Sequence, residues 1–87
     1  MKLRRHVWQQ LKSITCEKLI AALKKDGWEQ DTSRGAILVF ISQRGKRVTI
    51  HYHPGKTYGE KLLKGLIKDI GWTEQDLIRL KLIKRVG

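Results

Sequence analysis

Residues Arg34–Lys56, RGAILVFISQRGKRVTIHYHPGK, decide the fold, because they read as two strands joined by a tight basic turn. Ala36–Ile41 is apolar at every position, as in a strand with little solvent on either side. Arg47–His53 instead alternates, with Val48, Ile50 and Tyr52 on one side and Thr49, His51 and His53 on the other. Taking Arg44-Gly45 as a two-residue hairpin loop sets Ile41 opposite Val48, Val39 opposite Ile50 and Ile37 opposite Tyr52. The second face then gathers Ala36, Leu38 and Phe40 beside Thr49, His51 and His53. Pro54 cannot donate to a ladder and ends the second strand.

Upstream, Trp28–Thr32 fits a short edge strand, and Ser33-Arg34-Gly35 turns the chain into the hairpin. Before it, Cys16, Leu19, Ile20 and Leu23 form an apolar stripe at helical spacing, with Thr15 as N-cap, Glu17 in the first turn and Gly27 as the stop. Leu3, Val7, Trp8 and Leu11 predict a shorter helix ahead of that. Downstream, Thr57-Tyr58-Gly59-Glu60 has capping-box spacing, and Leu62, Leu63, Leu66, Ile67 and Ile70 give a helix that stops at Gly71. Thr73-Glu74-Gln75-Asp76 caps a last short helix, after which Arg79–Arg85 alternates basic and apolar residues. The expected class is α+β: a three-stranded antiparallel sheet with helices on one face, an N-terminal helical extension and a short C-terminal helix. The chain reads as one domain, with residues 1–14 as extension, 15–77 as core and 78–87 as basic tail.

Composition narrows the function. A chain of 87 residues with 40% apolar content supports one modest core. Its 19 Lys and Arg against 8 Asp and Glu leave a net charge of +11, which calls for a polyanionic partner. Nucleic acid fits best, since each neutralised phosphate releases a counterion. The single Cys16 cannot form an intrachain disulfide and falls among apolar positions, so a reducing compartment, the cytoplasm, is expected. No apolar run is long enough for a membrane span.

The candidate chemistry lies on the hairpin and just after it. His51 and His53 stand two apart on a predicted strand and so point the same way. A metal pair needs a third ligand, and no Cys, Asp or Glu cluster at ligand spacing stands nearby, so neither a metal nor another cofactor is expected. Metal-free RNA cleavage suits them better: one imidazole takes the 2′-hydroxyl proton, a second group protonates the leaving oxygen, and Arg or Lys stabilises the charged phosphorane. The milder reading has His53 and Lys56 hold phosphate beside a helix start. An open sheet face carrying Phe40 and the imidazoles also suits stacking of unpaired bases, unless the helix around Trp8 covers Leu38 and Phe40. Arg34, Arg44, Lys46, Arg47, His53, Lys56, Lys61, Lys64 and Lys68 complete a basic set that could track a phosphate backbone.

Four segments carry a resemblance to a known family: LIAALKKDGW, the Arg-Gly before an apolar strand, GKRVTIHYHPGK, and LLKGLIKDIGWTEQDL. From about Thr15 to Leu77 the chain resembles the HicA family of bacterial toxins, small ribonucleases with a fold like that of double-stranded RNA-binding domains. The resemblance implies an α-β-β-β-α domain, messenger RNA as target, and a HicB-type antitoxin that covers the active surface. It also implies a catalytic histidine just after the Arg-Gly turn, but Ile37 stands at that position here. His53 matches the family's histidine before Pro-Gly, whereas His51 falls where the family often has proline. Three readings stay open: an endoribonuclease built on His51 and His53, a non-catalytic RNA-binding module that has lost the chemistry, and a protein-interaction subunit with an acidic partner.

Overall fold

The computed structural model describes residues 4–53 and 55–84. Among these residues the order is α1 (Arg5–Leu11), α2 (Cys16–Lys25), β1 (Glu29–Arg34), β2 (Ile37–Ile41), β3 (Arg47–His51), α3 (Glu60–Ile70) and α4 (Glu74–Arg79). The strands form an antiparallel meander in the order β1-β2-β3. Helices cover the face that carries Leu38, Phe40, Val48 and Ile50, and one hydrophobic cluster runs from Val7 to Ile83. The class is the expected α+β, with a core order like that of double-stranded RNA-binding domains.

Local chemistry explains most boundaries. Thr15 Oγ1 accepts from the Lys18 amide, opening α2 with an N-terminal cap. At the other end the Gly27 amide donates to the Lys24 carbonyl and the Trp28 amide to Leu23, a Schellman closure with Gly27 at φ 92°. Trp28 is therefore the buried apolar partner of that closure, and β1 starts one residue later than its pattern predicts. The turn into β2 is also shorter: Arg34 pairs with Ile37, and Gly35 (φ 60°) with Ala36 forms a two-residue loop. The cap predicted at Thr73 forms, as a full capping box with Asp76 answering its backbone. The one at Thr57 does not: α3 begins at Glu60 behind an uncapped Gly59, and Thr57 is drawn instead into an isolated bridge with Thr15. Leu3 and Pro54 lie outside the described residues.

The hairpin register is the correction with the largest consequence. The loop has three residues, Gln43-Arg44-Gly45, because the Gly45 amide donates to the Ser42 carbonyl and the Ser42 amide to Lys46, with Gly45 at φ 82°. This is a type I turn followed by a left-handed glycine, the usual three-residue hairpin. Ile41 therefore faces Arg47, Phe40 faces Val48, Leu38 faces Ile50, and Ile37 faces His51. A one-residue slip exchanges the two faces of a strand. Leu38 and Phe40 consequently turn inward, Phe40 to 0% exposure, and Ile37, Val39 and Ile41 turn outward. The alternation read for β3 holds, with Val48 and Ile50 buried and Thr49 and His51 exposed.

Candidate functional site

The uncovered sheet face consists of three rows. At one end stand Arg34, Ile37 and His51, in the middle Val39 and Thr49, and at the hairpin end Glu29, Ile41 and Arg47. Strands lie about 4.8 Å apart, so Arg34 and His51 flank Ile37 at roughly that distance on either side. Both are exposed, as is Ile37 at 41%. The middle strand presents an aliphatic stripe, and with Phe40 buried the imidazole of His51 is the one aromatic ring of β2 and β3 on this face. Base stacking on Phe40 is thereby excluded. Arg47 ion-pairs with Asp31 at 3.2 Å, beside the β1 bulge, so its charge is partly answered within the protein.

The segment after β3 is held from below. The last ladder bond runs from the Tyr52 amide to the Ala36 carbonyl at 2.6 Å. Beyond it, the Tyr58 hydroxyl donates to the His51 carbonyl at 3.3 Å, and the Cys16 thiol donates to the His53 carbonyl at 3.2 Å. The Gly55 amide donates to the Glu17 carboxylate at 3.0 Å, and the Lys56 amide closes a turn onto His53 at 3.1 Å. The histidine side chains and Lys56 remain exposed. His53 therefore leaves the strand geometry that would align it with His51; it belongs to the loop. Burial, with Cys16 beside it, pushes the Tyr58 phenol up to about 12. Its own backbone amide and then that of Gly55 hold the Glu17 carboxyl below its usual range. None of these gripping groups follows from the sequence, because Cys16 and Glu17 act on backbone far along the chain and Tyr58 reaches back across a loop; only the buried character of Cys16 is expected.

The structure divides the remaining basic residues. With about 100° per helical residue, Lys61 and Lys68 lie opposite the buried stripe of Leu63, Leu66, Ile67 and Ile70, so they point away from the sheet. Lys64 sits on the flank and pairs with Glu60 at 3.1 Å. Arg44 and Lys46 stand at the far end of the hairpin, lining a cleft of about 480 Å³ with Trp28, Trp72 and Asp26. There Asp26 accepts from Trp72 Nε1 at 2.8 Å and from Arg79 at 2.6 Å. Burial is the largest single influence on Asp26 and raises its pKa, but Trp72 and Arg79 together bring it below the ordinary value. Arg34 and His51 thus share one end of the sheet, from which the loop bearing His53 and Lys56 departs, whereas Lys61 and Lys68 lie on the outer face of α3. Among the described residues no three His, Cys, Asp or Glu side chains converge as metal ligands.

The fold and the site together define a small, basic α+β domain with an open sheet face and a histidine-bearing loop. A family profile described as HicA toxin of bacterial toxin-antitoxin matches residues 16–72, and the chain belongs to that family. As such it is the toxin component of a toxin–antitoxin pair, with an antitoxin as partner. No curated protein matches the chain. The matched region starts with α2 and ends at Trp72, so α1 and α4 lie outside it. The chain flanking them is tied together: Arg4, just before α1, pairs with Glu74 of α4, and the Gln10 side chain of α1 both donates to the carbonyl of Lys84, beyond α4, and accepts from its amide. No described helix is long and apolar enough to cross a membrane.

Proposed function

We propose that the protein acts on RNA in the cytoplasm, cutting messenger RNA without a metal, and that a HicB-like antitoxin restrains it by covering the open sheet face. The observation that carries this reading is the row Arg34–Ile37–His51 beside the loop bearing His53 and Lys56. His51 takes the 2′-hydroxyl proton as the O2′–P bond forms. Arg34 and Lys56 offset the charge that builds on the phosphorane, and the P–O5′ bond breaks as O5′ takes a proton from His53. The products are a 2′,3′-cyclic phosphate and a 5′-hydroxyl.

Labelled RNA incubated with purified protein in chelator tests the proposal. Cleavage is expected, falling about 10²- to 10⁴-fold in His51→Ala, the usual span for losing an acid–base group. A specific observation favours a second reading. Ile37, which no proton transfer can use, stands exposed between Arg34 and His51, as it would on a module that binds RNA and does not cut it. Intact RNA in a salt-sensitive complex would establish that reading, and no RNA affinity even at low salt would remove both.

A further inference from the structure

We infer that Tyr58, Cys16 and Glu17 are positioning residues: together they set the backbone of His51–Lys56 so that the two imidazoles and Lys56 face solvent as one group. The inference rests on the proposed RNA chemistry and assigns a task to side chains that never touch the substrate.

Past Tyr52 the segment has no strand partner, and a loop that carries proton-transfer groups needs another restraint. Three consecutive residues at the start of α2 supply it. Thr15 bridges Thr57, Cys16 donates to the His53 carbonyl, and Glu17 accepts from the Gly55 amide. Tyr58 adds the fourth tie, at the His51 carbonyl. Cys16 is fully buried and Tyr58 is 7% exposed, so their bonds are made on the core side of the segment. With the His51 and His53 carbonyls occupied there, the side chains of His51, His53 and Lys56 are left exposed. The Tyr58 hydroxyl stays protonated through neutral pH, as a standing donor must. The task resembles that of a residue which orients a catalytic base: the geometry of attack depends on it, but the affinity for substrate does not.

The test compares wild type, Tyr58→Phe, Glu17→Ala and Glu17→Gln, the last keeping an acceptor for Gly55. Thermal unfolding first establishes that each variant is folded. Backbone NMR relaxation at His53, Gly55 and Lys56 then reads the order of the segment, and RNA cleavage reads kcat and KM. The expected result is a loosened segment in Tyr58→Phe and Glu17→Ala, with kcat reduced at least about 10-fold, KM within about 2-fold, and substantial recovery in Glu17→Gln. Unchanged order in both disruptive variants overturns the inference, as does loosening that leaves kcat at the wild-type value. If wild-type protein leaves RNA uncut, the proposed function falls, and the relaxation data still decide whether these side chains set the segment.

Discussion

At the scale of single residues, burial and partner geometry separate side chains that look alike in the sequence. Phe40 and Ile37 both lie in an unbroken apolar run, yet one is sealed in the core and the other is 41% exposed. Phe40→Ala should cost about 3–5 kcal/mol in urea unfolding, whereas Ile37→Ala should cost under about 1 kcal/mol. Equal costs would mean that the register is wrong. Asp26 offers a second contrast. Arg79 is half exposed and contributes little through its charge. Trp72 is buried, and its indole N–H would lose its acceptor in Asp26→Ala, a loss of about 1–3 kcal/mol. Because the folded-state pKa of Asp26 lies below its unfolded value, its contribution is complete above about pH 4 and fades as pH falls through the folded value. Stability curves of wild type and Asp26→Ala should therefore approach each other in acid. A gap that widens below pH 4 would contradict this sign.

At the scale of elements, the helix signals were legible because they are local. Thr15, Gly27, Gly71 and Thr73 act within one turn of the ends they mark, and all four appear where the sequence puts them. The hairpin register was misread because Gly45 suits both loops, as second of two residues or third of three. The discriminating signal was Ser42, which opens a type I turn and accepts from the amides of Arg44 and Lys46. Thr57 was misread for a different reason: its backbone was claimed by Thr15, far away in the chain. The end of α4 yields a prediction of its own. Lys81 holds φ 61° in a Schellman closure, with the Lys81 amide on Ile78 and the Leu82 amide on Leu77, at a position glycine normally fills. Lys81→Gly should stabilise the fold by up to about 1 kcal/mol, since it relieves the left-handed strain of a side chain. Loss of stability in thermal or urea unfolding would show that the lysine side chain contributes more than its backbone costs.

At the scale of the whole molecule, charge was legible and its arrangement was not. A net +11 pointed to a polyanion, but the continuous strip expected from Arg44 to Lys68 is divided by the sheet itself. Which lysines share a surface depends on how α3 packs, and helical spacing alone leaves that undetermined. The candidate site was half visible: His51, His53 and Lys56 stand out in the sequence, whereas their supports at Cys16, Glu17 and Tyr58 emerge only once α2 and the α3 lead-in meet beneath them. RNA affinity should fall steeply between 50 and 200 mM salt, and Lys56→Ala should lower the slope of log K against log salt by roughly 0.7 for a single strand. An unchanged slope would remove Lys56 from the phosphate path. The most direct measurement uses one RNA in two forms, unmodified and fully 2′-O-methylated, each incubated with the protein in chelator. The expected result is that both bind and only the unmodified strand is cut, leaving a 2′,3′-cyclic phosphate whose formation is lost in His51→Ala. Cleavage of the methylated strand, or cleavage undiminished without His51, would contradict it.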